Sequence, residues 1–584
     1  MGVKVGGAGG ACNGKCGWGD LLAEEMGLAA GVRGGIGGRN LSDLFPLASS
    51  HFLPPLLGSL TSPLRRALKE ARERSAWERF QPGEVGPGAV FPKVRDAESL
   101  PVELRERTVA EAMEVLAGKW RGFGDQVWRV HTPPVWYRDY LTGTELATTA
   151  LSAQLRNPKA QGRLQLRAVW ALNRWSHLVT LAQAYHLTQE EHFREVLCAW
   201  LSDWDLKNTL GRGWNWMGAE EAAARLCNLC WIDALVRLPG PLLDALLPKH
   251  VWWVARYGPH DLSALPWMSG LVCALARWPQ AAVWSEAWPD ISQRWQAAVL
   301  REIRDDGRFG MASWDHQRKV LELLISARAA LLAREVRISG PVENRLRLAA
   351  DFILRCGDPL EPWPYGEAGE GTILPDCSIA DWLASQNSAT SQWQGAPPKQ
   401  ISSLAPHDFH IGGDDEWRWL LHQRPSSGAQ GHRDAQHLSL WIDHLAVFID
   451  PGSGFPCAEH HNGPYPLADL KQGIHSLLPW KRALHPRRSI TPQPGGWRIT
   501  DASDEGFAVR WLLAPGWEIE PHDGSCILFR EGHTLELSIQ GGHLEITSGK
   551  CSPSFGQQSD APALLVRMTE GGSVITDIVA RPLL

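Results

Sequence analysis

The stretch "GAQGHRDAQHLSLWIDHLAVFIDPGSGFP", Gly428 to Pro456, decides how the second half of the chain is read. Two short apolar runs, "LSLWI" and "LAVFI", flank Asp443 and His444. Runs of this length, rich in β-branched and aromatic residues and bounded by turn formers, read as strands. A two-residue turn at Asp443–His444 makes them a hairpin, brings Asp450 back beside the residues preceding Leu438 and places His437 opposite it. His432 lies farther along the same end, and His475 heads "HSLLPW". Imidazoles and a carboxylate at one sheet edge suit zinc, which takes His nitrogen and Asp oxygen in a tetrahedral shell. No short local motif compels that set, and surface histidines beside a hairpin-ending aspartate are the plainer alternative.

Downstream, "GWRITDA", "FAVRWLLA", "CILFREG", "TLELSIQGG", "HLEITSG" and "ALLVRMTEG" are short strands separated by Gly, Asp or Pro. Many short strands at regular spacing predict an antiparallel β-sandwich over 408–584. Upstream, the polar, Pro-bearing "SQNSATSQWQGAPPKQISSLAPH" reads as a linker over 386–407. Before it the period is helical. "LRAVWALNRWSHLVTLAQAYHL", "EEHFREVLCAWLSDW", "GAEEAAARLCNLCWIDALVRL", "ISQRWQAAVLREI", "HQRKVLELLISARAALLAREV" and "VENRLRLAADFILRC" repeat apolar residues at three- and four-residue spacing. Short connections between them predict antiparallel helical hairpins in a stack or ring over 96–385. Residues 1–95, Gly- and Pro-rich at both ends, read as an extension with some helix.

A chain of 584 residues exceeds one ordinary core. Hydrophobic residues make up 44% and charged residues 21%, so most of it is expected to fold. The net charge of −6 gives no nucleic-acid footprint, although basic clusters (Arg318 with Lys319; Lys481, Arg482, Arg487 and Arg488) suit an acidic ligand. Thirty tryptophans against six tyrosines supply both core and sugar-stacking faces. Eleven scattered cysteines make a poor disulfide framework, and Cys12 with Cys16 has no second pair at zinc-finger spacing. No run of about 20 apolar residues predicts a membrane span. The N-terminus lacks a continuous apolar signal core, so the chain is expected either to stay inside the cell or to have its native start elsewhere.

Several ordered segments resemble the heparinase II/III-like polysaccharide lyases across roughly residues 165 to 480. "LNRWSHLVTLAQAYHLTQEEHF" and "GRGWNWMGAEEAAARLCNLCW" are similar to the family's helix signature, with its Arg at Arg225. "LREIRDDGRFGMASWDHQ" resembles the segment leading into its catalytic tyrosine region. "IGGDDEWRWL" resembles the segment that opens its β domain. "QGHRDAQHLSLWIDHLAVFIDPGS" and "GIHSLLPW" resemble its His-X-His-X-Asp and later histidine segments. The resemblance implies an α/α toroid (an incomplete helical barrel) followed by an antiparallel β-sandwich, with an acidic polysaccharide in the cleft between them. It implies a structural zinc on His432, Asp450 and His475, elimination across the glycosidic bond of uronic-acid polymers, and a periplasmic or secreted setting. Trp214, Trp216 and Trp267 become candidates to line sugar subsites, with core packing as the alternative for each.

Uronate elimination needs the carboxylate neutralised, a base for the proton on C5 and an acid for the leaving O4. Each proton-transfer group contributes roughly 10²–10⁴-fold. Here the chain departs from the family. The catalytic tyrosine position falls on "SWDHQ", which offers Asp315 and His316. The asparagine segment falls on "YGPHDLSALPW", which offers His260 and Asp261 after Tyr257. The first histidine of His-X-His is Gln430. Two outcomes follow. Either His316 or His260 shuttles protons with Arg225 on the carboxylate, or the cleft binds an acidic glycan without cleaving it. The plain alternatives are a helix start for Asp315 and His316, a loop for His260, a helix N-cap for Asp261 and an ion pair with Glu221 for Arg225. A glycoside hydrolase is a third possibility, but Glu220 and Glu221 diverge by about 100° on a helix and cannot flank one bond.

Overall fold

In the computed structural model the described residues are chiefly 79–122, 127–152, 166–285, 290–309, 313–355, 409–422, 436–452, 463–466, 486–552 and 557–581. Residues 1–80 and 81–584 form separate compact units, and every element described belongs to the second. The expected linker over 386–407 lies outside the described residues, as does most of the expected extension over 1–95.

The helices are α1 (Val102–Leu116), α2 (Leu166–Asn173), α3 (Ser176–Thr188), α4 (Glu191–Lys207), α5 (Ala219–Val236), α6 (Gly240–Tyr257), α7 (Leu265–Arg277), α8 (Ile291–Glu302), α9 (Trp314–Ala333) and α10 (Gly340–Arg355). They pack in two layers. Helices α1, α3, α5, α7 and α9 lie side by side in chain order, while α4, α6, α8 and α10 cover them. Helices of the first layer have neighbours on several sides, which explains why α5 buries nearly its whole circumference, including Ala222, Ala223, Ala224, Leu226, Leu229 and Ile232. Small residues let two of them approach closely: a Cβ added at Gly270 of α7 would stand 2.6 Å from the Cβ of Ala223 on α5.

One helical stretch departs from its sequence pattern. "LRAVWALNRWSHLVTLAQAYHL" breaks between α2 and α3, where Trp175 takes a left-handed φ of 72°. Its indole packs edge-on against Trp204, centroids 4.9 Å apart, and against His250 at 5.3 Å. Burial of a tryptophan in this cluster outweighs local helix propensity.

The C-terminal region is antiparallel β. One sheet runs β3 (Phe409–Gly413), β4 (Trp417–His422), β5 (His437–Ile442) and β6 (Leu445–Phe448). A six-stranded sheet has the order β11-β12-β13-β16-β9-β8, and a four-stranded one the order β14-β15-β10-β7. Their strands are β7 (Pro464–Pro466), β8 (Arg487–Gln493), β9 (Gly496–Ser503), β10 (Phe507–Leu512), β11 (Glu518–His522), β12 (Ser525–Arg530), β13 (His533–Gln540), β14 (His543–Cys551), β15 (Ser559–Met568) and β16 (Gly572–Arg581). The sheets share one core, in which Trp419 meets Trp497 at 5.7 Å and Phe448 stacks on Trp511 at 4.5 Å. A small β1–β2 pair (Lys119–Arg121, Val127–Arg129) precedes α2.

The β5–β6 turn forms where expected: Asp443 and His444 both have positive φ, 42° and 76°, as a two-residue hairpin turn requires. The register is Ile442↔Leu445 and Trp441↔Ala446, then shifts by a bulge to Leu440↔Phe448. His437 Nε2 nevertheless stands 4.0 Å from Asp450 Oδ2.

Helices and sheets meet at α9 and α10. Phe352 belongs to the β core, and Trp314 packs against it. The Arg308 guanidinium lies 4.8 Å from the Phe409 ring centroid. Among the described residues no helix is long and apolar enough to cross a membrane.

Candidate active site

The first turns of α5 and α9, and the segment entering α7, come together through side chains far apart in sequence. Helix α5 begins after Gly218 with Glu220 and Glu221 in its first turn, where carboxylates complement the helix dipole. Asp261 follows the short turn Gly258–His260 in extended backbone. Its carboxyl accepts hydrogen bonds from the main-chain N–H groups of Ala219 and Glu220. Asp261 is therefore a helix cap, as its residue type suggested, but it caps α5 rather than the helix it precedes. Its Oδ2 is buried with no hydrogen-bond partner among the described residues. Burial, assisted by the charge of Glu220, pushes this carboxyl up to about 7 against the opposing pull of the two amides.

Helix α9 begins at Trp314, with Ser313 Oγ accepting from the His316 amide at 3.4 Å. Asp315 and His316 are both buried. Asp315 Oδ1 lies 3.6 Å from Arg318 Nε, and Arg318 also pairs with Glu322. Burial works against the Arg318 charge, but Glu322 and Asp315 outweigh it and hold the group above its ordinary value. Lys319, next in sequence, reaches α5: its Nζ stands 2.5 Å from Glu220 Oε1. The basic pair Arg318–Lys319 is thus neutralised within the protein. Trp314 turns the other way, donating Nε1–H to the Ile353 carbonyl at 2.9 Å.

Arg225 is 0% exposed. Its Nε donates to His250 Nε2 at 2.9 Å and its Nη2 to the Asn215 carbonyl at 2.8 Å. The rings of Trp204 and Trp216 lie 5.0 and 5.2 Å from the guanidinium carbon. Burial without a directly bonded carboxylate lowers this guanidinium to about 9. Glu221 is engaged elsewhere, by Arg174. Trp214, Trp216 and Trp267 are all buried. Trp214 packs with Leu146, Leu166 and Val169, and Trp267 lies so close over Gly258 that a Cβ there would meet its ring at 2.4 Å. The backbone of His260 closes the 258–260 turn, while its side chain lies outside the described residues.

Of the inferred metal set, Asp450 is described. It is buried, and its Oδ1 accepts from the Gly452 amide at 2.9 Å. His432, His475 and Gln430 lie outside the described residues. Among the described residues no group of three His, Cys, Asp or Glu side chains is placed to hold a metal ion.

Sequence reading did not find Lys319 as the partner of Glu220, nor the Asn215 and His250 contacts of Arg225. No local signal marks them, because their partners are 99, 10 and 25 residues away along the chain.

No family model matches the chain, and no curated protein matches it by sequence. Its fold is similar to solved structures. A crystal structure of heparinase III is 12% identical, with 88% of this chain and 91% of that chain covered at a TM-score of 0.57. A heparan sulfate lyase, HepC from Pedobacter heparinus, is 13% identical with 92% of each chain covered at a TM-score of 0.45. The helical first part and the antiparallel sheets that follow it therefore resemble, as a fold, those of heparinase III.

Proposed function

We propose that this protein is a polysaccharide lyase that cleaves an acidic, uronic-acid-containing glycan by β-elimination, with the two helix layers as the arc of an α/α toroid and the substrate between helices and sheets. The observation that carries the reading is Asp261: a half-buried carboxyl fastened to the start of α5 and pushed up to about 7 by burial. Such a group is populated both as base and as acid under ordinary conditions. In the reaction the C5–H bond breaks and its proton passes to Asp261. The electron pair forms the C4=C5 double bond, the C4–O4 bond breaks, and the departing O4 takes a proton from a second acid or from water. His316, with Asp315 beside it at the start of α9, is the second proton-handling candidate, and His260 adjoins Asp261 in sequence. Arg225 acts from within the core, holding the Trp214–Trp216 turn against α5 and α6. Zinc on His432, Asp450 and His475 is a structural brace in this reading, and no step of the reaction passes through it.

The departures from the family pattern at "SWDHQ" and "YGPHD" support a second reading, an acidic-glycan-binding protein without activity. Ultraviolet absorbance of the unsaturated product separates the two. With a panel of uronate polymers, absorbance growth that falls about 10²-fold or more in Asp261→Asn supports elimination. Binding without product in every polymer favours the second reading, and new reducing ends without the chromophore indicate hydrolysis.

A further inference from the structure

We propose that Glu220, held by Lys319, is a positioning residue that ties Asp261 to the start of helix α9 and governs whether the Asp261 carboxyl carries charge. This rests on the reading of Asp261 as a proton-handling group and deepens it. The geometry is a relay. Asp261 accepts from the amides of Ala219 and Glu220, so its carboxyl is fastened to the same turn that carries the Glu220 side chain. Glu220 in turn meets Lys319 at 2.5 Å. Lys319 lies one turn beyond Asp315 and three residues beyond His316 on α9. Lys319 is buried, 3% exposed, while the Glu220 side chain is 29% exposed, so solvent screens the pair only in part. One ion pair therefore fixes the two candidate regions of the site relative to each other.

The surrounding charges give the pair its second role. From α5, Glu220 and Glu221 both face Asp261. Glu221 is balanced by Arg174 at 2.7 Å, and Glu220 by Lys319. At the end of α8, Glu302 accepts from Ser263 Oγ at 2.7 Å and from the Ala264 amide at 3.1 Å. At the end of α6, the Arg256 guanidinium lies over the rings of Trp252 and Tyr257. On α9, Arg318 is paired with Asp315 and Glu322. Among the charges acting on Asp261, Glu220 is the leading one that opposes its ionisation, and Lys319, paired with it, moderates that charge. Removing the Glu220 charge eases ionisation of Asp261; removing Lys319 exposes the Glu220 charge and opposes it. Opposite effects from the two ends of one ion pair are not what a purely structural role produces.

The test follows the Asp261 carboxyl directly, by infrared difference spectra of the full chain against Asp261→Asn across pH. The wild-type midpoint is expected near 7. Glu220→Gln, which keeps a hydrogen bond to Lys319, is expected to lower the midpoint by roughly one pH unit. Lys319→Met is expected to raise it. An unchanged midpoint in Glu220→Gln overturns the proposal, and that variant decides the matter alone if Lys319→Met does not fold. The product-absorbance assay runs in parallel. In an active enzyme the acid limb of kcat/KM moves with the midpoint, whereas a wild type without product sinks the lyase reading and leaves the midpoints to judge this one.

Discussion

Arg174 grips Glu221 through both carboxylate oxygens, Nε to Oε2 at 2.7 Å and Nη2 to Oε1 at 2.8 Å, with side-chain exposures of only 2% and 9%. The pair anchors the first turn of α5 to the break between α2 and α3. Removing one partner leaves a buried, uncompensated charge. Glu221→Gln is expected to cost about 3–5 kcal/mol in urea unfolding, while the paired replacement Arg174→Met with Glu221→Leu costs less than either single change. A single variant as stable as wild type would refute the anchoring role.

His177 supplies a pH dependence. Neither ring nitrogen has a hydrogen-bond partner among the described residues, and the rings of Trp120, Trp136 and Trp200 surround it at 6.2, 6.0 and 6.2 Å. Burial lowers it from 6.5 to about 3. The folded state therefore keeps this imidazole neutral where the unfolded chain takes up a proton. Its effect on stability is fully favourable above 6.5 and is lost as pH falls from there toward 3, by roughly 1–2 kcal/mol per pH unit. His177→Phe is expected to flatten that part of the stability–pH curve, measured by denaturant midpoints between pH 7 and 4.

Arg225 separates a structural from a substrate-contacting role. Its fork serves His250 and the Asn215 carbonyl at once, which a lysine cannot reproduce. Arg225→Lys is expected to lower stability by about 2–3 kcal/mol. A variant that melts with the wild type yet loses all product formation would place the guanidinium on the substrate instead.

The proposed zinc is open to direct measurement. Metal analysis of the purified chain is expected to give one zinc per molecule, lost in Asp450→Ala and in His432→Ala. Chelation is expected to lower the thermal unfolding temperature and to leave the Asp261 midpoint where it was. A metal-free, fully stable protein would remove zinc from the account.

Much of the fold was legible because periodicity is local. The apolar spacing of "EEHFREVLCAWLSDW" and "ISQRWQAAVLREI" marks α4 and α8, and the two-residue turn at Asp443–His444 is written in its flanking runs. The break at Trp175 was not legible, since it is imposed by Trp204 and His250 from other helices. Nor was the bulge at Leu440/Trp441, which depends on how β6 continues toward β10, where Ile449 donates to the Leu512 carbonyl at 3.0 Å. The site was legible by residue type and not by partner. Asp261 looks like a cap in sequence and is one, yet the amides it caps lie some forty residues upstream.

The contact of Gly270 with Ala223 has a consequence for how such a site drifts. A methyl group at 270 would meet Ala223 Cα at 2.7 Å as well as its Cβ, so the helix axes themselves would have to part. Those axes end, about one turn away or a little more, at the entry segment bearing Asp261 and at the turn bearing Glu220. The helix pair is therefore a caliper whose gap is set by a missing carbon atom, and the reach between two carboxylates is adjustable from a position that touches neither.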